Sequence, residues 1–290
     1  MCKVTNFWAF SRHLRKFFVF LQQNMEESII TSSQNAKVKH VVALQQKSAL
    51  RRQEGLFVVE GRRELMHCLE AGYEIVEAFL LDRPDNLDIL DRLERQVITH
   101  KVSPQVYEKM AYRGSTEGVI AVVREKSLSL EDLQLGSAPL IMVLERVEKP
   151  GNLGAVLRSA DAAKADVVIV CDPLTDLYNP NLIRSSIGAI FSVPCVACSS
   201  DACIAFLKAH GIQILTAQLQ DSSLYYDTDM LGGTAIVMGT ESTGLTDVWR
   251  QAADAHIRIP MLGQLDSLNV SVSAAILLFE AVRQRQSVKS

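Results

Sequence analysis

Three polar turns in the second half of the chain carry the side chains that could do chemistry. The first lies in ERVEKPGNLGAVLRSADAA (145–163), where Pro150-Gly151-Asn152-Leu153-Gly154 leads into a run bearing Arg158. The second lies in VMGTESTGLTDVWRQAADAHIRIPM (237–261), with Gly239, Glu241 and Gly244. The third opens DSLNVSVSAAILLFEAVR (266–283) with Ser267-Leu268-Asn269. Each stands between a strand-like and a helix-like run, which is where an α/β protein holds a ligand. Glycine at 239 would let a ligand approach the backbone closely. Bland readings exist for each: Asn152 or Ser267 as helix N-caps, Glu241 as a partner for a helix dipole. The common cofactor and hydrolase signatures are missing. PGNLGA is not GxGxxG, and no P-loop, HExxH or GxSxG stands anywhere in the chain.

The elements that must hold these turns follow from hydrophobic pattern. From Pro139 onward, apolar runs at 140–147, 166–172, 211–218, 234–239 and 256–260 read as strands. They alternate with helical stretches near 152–163, 180–190, 201–209, 243–252 and 268–285. Strands this continuously apolar imply a parallel sheet covered on both faces. Residues 37–125 read as a smaller α/β domain. It has a helix over 37–55 with Val38, Val41, Val42, Leu44 and Leu50 on one face, strands at 56–61, 75–82 and 118–125, and helices at 62–72 and 85–96. Residues 126–138 are polar, bounded by Gly136 and Pro139, and read as the linker to a domain spanning 139–290. Residues 1–36 read as an unstructured extension. Its first 24 residues hold five of the ten phenylalanines and four basic residues with no acid, foreign to both domains. Removing them should leave folding and activity unchanged.

The chain has 290 residues, 48% hydrophobic content and a formal net charge of −3. That describes ordinary globular protein, with no apolar run long enough for a membrane span. The overall charge argues against indiscriminate coating of nucleic acid, but its distribution is uneven. Residues 34–63 hold seven Lys/Arg against two acids, whereas 140–290 hold eleven against fifteen. A basic end on an acidic protein suits contact with a phosphate backbone at a chosen place, and equally a solvated helix face. The residues concerned include Lys37, Lys39, Arg51, Arg52 and Arg62. Six scattered cysteines suggest no disulfide framework, so a reducing cytoplasm is expected. Cys195 and Cys198 make one CxxC, but with no second pair and only His210 near, no metal site is expected.

Taken in order, the three segments resemble the three sequence motifs of the SpoU/TrmH family of RNA 2′-O-methyltransferases. FVVEGRREL (57–65) is similar to the small RNA-binding domain that precedes the methyltransferase domain in many members. The resemblance covers about residues 37–285. It departs at Lys149, where an Asp is usual, and at Lys164, where a Gly is common. It implies a deep trefoil knot, which no periodicity argument would find because knots are so rare. It implies S-adenosylmethionine as cofactor, held near Gly239, Ile259 and Leu268, with Asn152, Arg158, Glu241, Ser267 and Asn269 on the catalytic side. Its substrate would be structured RNA, ribosomal or transfer. It also implies a homodimer built partly on the C-terminal helix, whose Val272, Ile276, Phe279 and Val282 form one apolar stripe. No metal is needed. Arg158 would act on the ribose hydroxyl as a base or, at less cost for a guanidinium, by stabilising the developing alkoxide. The rival readings are an RNA-binding protein with an inactive methyltransferase fold and a dinucleotide-dependent enzyme.

Overall fold

Val38, Val41 and Leu44 recur at helical spacing and are buried in helix α1 (Ala36–Gln46), whose N-cap Asn35 accepts from the Lys37 N–H. The computed structural model describes residues 29–81, 89, 92–93, 97–112, 117–240 and 243–287. The single helix expected over 37–55 is two. Lys47 adopts an extended conformation, and α2 (Ser48–Glu54) restarts after it and ends at Gly55, whose φ of 63° is left-handed. Strands β1 (Leu56–Glu60), β2 (Ile75–Leu81), β3 (Ile98–Val102) and β4 (Val119–Arg124) form a mixed sheet in the order β1-β4-β2-β3. Between them run α3 (Arg62–Glu70) and α4 (Pro104–Met110). β3 and α4 escape the sequence reading because ITHKV is an edge strand without an apolar run. The extension is shorter than 1–36, since Ile30 bridges to Val102 and exchanges backbone hydrogen bonds with Lys101 and Ser103. The first 24 residues and most of the helix expected at 85–96 lie outside the described residues.

The second domain alternates as its pattern demands. Its strands are β5 (Leu140–Glu145), β6 (Val167–Cys171), β7 (Cys195–Cys198), β8 (Gln213–Ala217), β9 (Ser223–Leu224), β10 (Thr234–Met238) and β11 (Ala255–Arg258). They form one parallel sheet in the order β7-β6-β5-β10-β8-β11-β9. α5 (Pro150–Ala162), α6 (Pro180–Ser186), α7 (Ala189–Ser192) and α10 (Val270–Ser287) pack on one face. α8 (Ser200–Ala209) and α9 (Asp247–Ala252) cover the other. The linker lies against that second face, with Leu130 buried and Leu128, Leu133 and Leu135 packed beside it. Arg285 fixes the far end of α10, donating to the carbonyls of Met230, Ala138, Pro139 and Gly232.

Strand alternation separates the CxxC cysteines. Cys195 faces the core shared with the first domain, where burial pushes its thiol up to about 12. Cys198 faces the other side, where hydrogen bonds with the Cys171 and Cys203 thiols pull it down.

One hydrophobic cluster runs through both domains. Phe57 of β1 stacks on Tyr178 with ring centroids 4.3 Å apart and lies 6.0 Å from Phe191. Gly154 belongs to this packing. A Cβ there would fall on Ser185 Oγ and within 2.8 Å of the Ser186 nitrogen, so α5 and α6 approach as closely as they do only because residue 154 is glycine.

Candidate active site

In the parallel sheet the chain starts at β5, moves outward through β6 and β7, then crosses to the other side, where β10 returns beside β5. Ligands of open α/β sheets bind beyond the strand carboxyl ends at such a reversal. There a small pocket of about 100 Å³ is lined by Lys149, Asn152, Gly239, Thr240 and Val270. It shares Gly239, Thr240 and Val270 with a cavity of about 660 Å³, in the range that holds a cofactor-sized molecule.

The larger cavity gathers residues far apart in sequence. Gly239, Ile259 and Leu268 of the expected cofactor set line it together with Ser267 and Asn269 of the expected catalytic set. Gly239 is where two backbone segments nearly touch: a Cβ there would overlap the Gly244 carbonyl group and stand 2.5 Å from the Leu245 nitrogen. The loop after β10 therefore folds back on itself only with glycine at 239. Its far end is held by Glu145, a buried carboxylate at the end of β5 that accepts from the Thr246 N–H at 2.9 Å and the Thr246 hydroxyl at 2.6 Å. The sequence reading gave Glu145 no role. A charged residue closing an otherwise apolar strand was the available signal.

Asn269 caps α10, its Oδ1 accepting from the Ser271 N–H at 2.9 Å. That fixes its amide, and Nδ2 reaches Asn152 Oδ1 at 3.3 Å, joining residues 117 positions apart. Neither Asn152 nor Ser267 is an N-cap. Lys149 occupies that position on α5, leaving Asn152 one turn inside. Ser267 lies outside α10, exposed, with its hydroxyl 3.4 Å from Asp266 Oδ1. Gln218 was not foreseen. Its Oε1 is buried on the cavity wall with no hydrogen-bond partner among the described residues, an acceptor that suits a ligand amino group. With apolar Met238, Leu245, Ile257 and Leu277 beside it, the cavity fits a molecule with a flat heterocycle and polar ends, such as S-adenosylmethionine. Glu241 lies outside the described residues.

Arg158 is not in this cavity. Six residues beyond Asn152 on a helix places it about 9 Å along the axis and 240° around. Exposed there, it lines a second cleft of about 600 Å³ between the domains, with Gly151 and Ala155 on the same helix face. Across the cleft stand Glu60, Glu64 and Glu117 of the first domain, and Arg184 lies beside it.

The basic residues also divide. Lys39 and Arg52 are exposed, and Arg62 is half-buried. Lys37 is exposed, with its amine 3.0 Å from His100 Nε2 and 3.6 Å from Glu77. Arg51 is a correction to the expected RNA-binding set. It is 3% exposed, pairs with Asp176 at 2.7 Å across the domain boundary, and donates to the Leu44 and Gln45 carbonyls. A guanidinium so enclosed is spent on the domain contact. Arg51→Ala should therefore destabilise the protein by roughly 3 kcal/mol. Arg52→Ala should leave the melting temperature alone and flatten the salt dependence of RNA binding by about one unit of slope. Paired melting and filter-binding measurements on the two variants check this.

Residues 139–279 match the SpoU rRNA methylase family, and residues 35–121 match the MRM3-like substrate binding domain. Among curated relatives, a 23S rRNA (uridine(2479)-2′-O)-methyltransferase of Streptomyces viridochromogenes is 32% identical, over 88% of this chain and 92% of its own. The 23S rRNA (guanosine-2′-O-)-methyltransferase RlmB of Bordetella pertussis is 35% identical, over 77% and 93%. A solved RNA 2′-O ribose methyltransferase superposes with a TM-score of 0.78 at 38% identity, covering 89% of this chain and all of the other. The chain belongs to the SpoU rRNA methylase family. It is an S-adenosylmethionine-dependent RNA 2′-O-methyltransferase, so the readings as an inactive fold or a dinucleotide enzyme fall away. The solved SpoU methyltransferase AviRb of Streptomyces viridochromogenes, in complex with AdoMet, superposes with a TM-score of 0.80 at 28% identity, covering 88% of this chain and 99% of that one.

Proposed function

We propose that this SpoU family methyltransferase modifies one ribose of 23S ribosomal RNA. The observation that carries the reading is the convergence of Gly239, Ile259, Ser267, Leu268 and Asn269 on one cavity at the strand reversal, in a chain whose relatives are named for 23S rRNA. S-adenosylmethionine supplies a methyl group activated by a sulfonium. The backbone around Gly239, Ile259 and Leu268 holds the cofactor, and Gln218 accepts a hydrogen bond from it. Asn152, fixed by Asn269, orients the ribose together with Ser267, and Glu241 is a further residue of the catalytic set. Arg158 stabilises the negative charge that develops on the attacking 2′-oxygen. A guanidinium stays protonated, so it serves as a fixed electrostatic partner rather than a base. Transfer to oxygen needs no covalent help from the protein, and positioning supplies most of the rate. Lys37, Lys39, Arg52 and Arg62 contact the RNA backbone and set affinity without reading a base. No metal takes part.

The working unit is a homodimer with a trefoil-knotted catalytic domain. α10 buries Val270, Ala274, Leu277, Leu278 and Ala281, yet leaves Val272 and Phe279 of the expected stripe 48% and 46% exposed. Leu262 and Leu265 on the preceding loop are also exposed. Such a patch suits a second copy. Packing there brings a second chain's α5 toward each cofactor cavity, which gives Arg158 a place in the reaction although it lies outside its own chain's cavity. Light scattering should give twice the mass of 32.1 kDa, and Phe279→Glu should give a monomer. A monomeric mass for the wild-type chain at micromolar concentration rejects the dimer. Among the described residues no helix is long and apolar enough to cross a membrane, and the expected place of work is the cytoplasm.

Mapping 2′-O-methyl positions in total RNA from cells with and without the gene tests the substrate. Loss of a single 23S site, restored in vitro by the purified chain with S-adenosylmethionine, is the expected result. Loss confined to transfer RNA overturns it.

A further inference from the structure

Three of the cysteines that the sequence left scattered come together behind the cofactor loop. Cys171 ends β6 and Cys198 ends β7, and the two are direct partners in the parallel register, so their side chains leave the sheet on one face. Cys203 enters from α8, which covers that face. The three sulfurs lie within 4.8 Å of one another. Cys171 and Cys203 are fully buried, whereas Cys198 is partly open to solvent.

We propose that Cys171, Cys198 and Cys203 form a structural site for one thiophilic d10 cation, zinc, with solvent completing the coordination at the Cys198 side. At a zinc–sulfur distance of about 2.3 Å, two thiolates of a tetrahedral site stand roughly 3.8 Å apart. The sulfurs therefore need to close by about 1 Å or less, within reach of small side-chain rotations. Three soft ligands from three separate elements select zinc or cuprous ion over hard cations. As the three metal–sulfur bonds form, the three S–H protons pass to solvent, and no electron is transferred.

The surroundings are already organised. Asp172, next to Cys171, accepts from the Ser200 hydroxyl at 2.6 Å and from its N–H at 3.3 Å. Ser200 Oγ in turn accepts from Trp249 Nε1 at 3.0 Å. Trp249 and Leu245 belong to the same apolar cluster as the cysteines, and Leu245 closes the Gly239–Gly244 loop. A cation would thus pin α8 to the ends of β6 and β7, and through Ser200 hold α9 behind the cofactor loop. The packing reading, in which three small thiols merely fill space, makes no use of a metal and is what the experiment separates.

The test uses the full chain without a histidine tag, reduced and stripped with a chelator, titrated with Co²⁺. The expected result is saturation at one equivalent, with a thiolate-to-cobalt charge-transfer band that Zn²⁺ abolishes by displacement. Cys198→Ser, at a partly exposed position that tolerates the change, should lose the band. Cys195→Ser, on the opposite face of the same strand, should keep it. Zn²⁺ at ten times its dissociation constant should slow modification of Cys198 by a thiol reagent roughly tenfold, and should raise the melting temperature of the wild type but not of Cys198→Ser. No band in the wild type, a band kept in Cys198→Ser, or binding of Cu⁺ with no response to Co²⁺ or Zn²⁺ overturns the proposal.

Discussion

Gly239→Ala is expected to abolish cofactor binding in a protein that still folds. The added Cβ meets the Gly244 carbonyl group and stands 2.5 Å from the Leu245 nitrogen. All of these are backbone atoms, so no side chain can rotate aside, and the loop itself must open. Glu145 holds the far side of that loop through Thr246, so the displacement is directed into the cavity. Overpacking of this kind costs about 1–3 kcal/mol. Concentrated on the residues that line the cofactor cavity, about 3 kcal/mol is a loss of roughly 100-fold or more in affinity. Gly263→Ala, with nothing within 4 Å of its added Cβ, is the matched control and should bind normally. Calorimetric titration with S-adenosylmethionine measures both. Affinity in Gly239→Ala within about twofold of wild type, a difference under 0.5 kcal/mol, would sink the assignment of this loop to the cofactor.

Arg158→Ala is expected to reduce turnover by about 10²–10³ while cofactor affinity is unchanged. That is the usual loss when one fixed donor to a developing oxyanion is removed. The side chain is exposed and lines the interdomain cleft, so its removal leaves neither a core cavity nor a gap in the cofactor site. Arg158→Lys should recover little, because an ammonium cannot present the planar, multi-donor edge of a guanidinium. Single-turnover methyl transfer beside cofactor titration separates the possibilities. Loss of cofactor with full turnover at saturation would make Arg158 a cofactor-site residue and move the activating role to Glu241, Ser267 or Asn269. The homodimer adds a condition. Mixing Arg158→Ala chains with chains carrying Gly239→Ala should restore part of the activity if the two functions meet across subunits, and none if each chain works alone.

Sequence by itself determined the parallel sheet and the identity of its loops. Strands such as Leu140–Glu145 and Val167–Cys171 are apolar on both faces, and only burial between two helical layers explains that. The three polar turns were legible for the same reason, since each interrupts a regular apolar period. The family was legible because Asn152, Arg158, Gly239 and Ser267-Leu268-Asn269 keep their order and spacing.

Tertiary structure alone decided what those residues and their neighbours touch. A basic run says nothing about which guanidinium is buried, and Arg51 turned from an RNA contact into a domain tie because Asp176 lies 125 positions away. A CxxC looks like a pair in one dimension, but a strand sends residues three apart to opposite faces, leaving Cys198 with Cys171 and Cys203. Glu145 offered only its charge at the end of an apolar strand, since its partner Thr246 lies 101 positions away, and nothing local marks Gln218 as a buried acceptor on the cavity wall. Asn152 and Arg158 are six residues apart in every helix, but which cavity each one lines depends on how α5 is clamped by its neighbours. Periodicity fixes the faces of an element, whereas the distances between groups on different elements come only from how those faces pack.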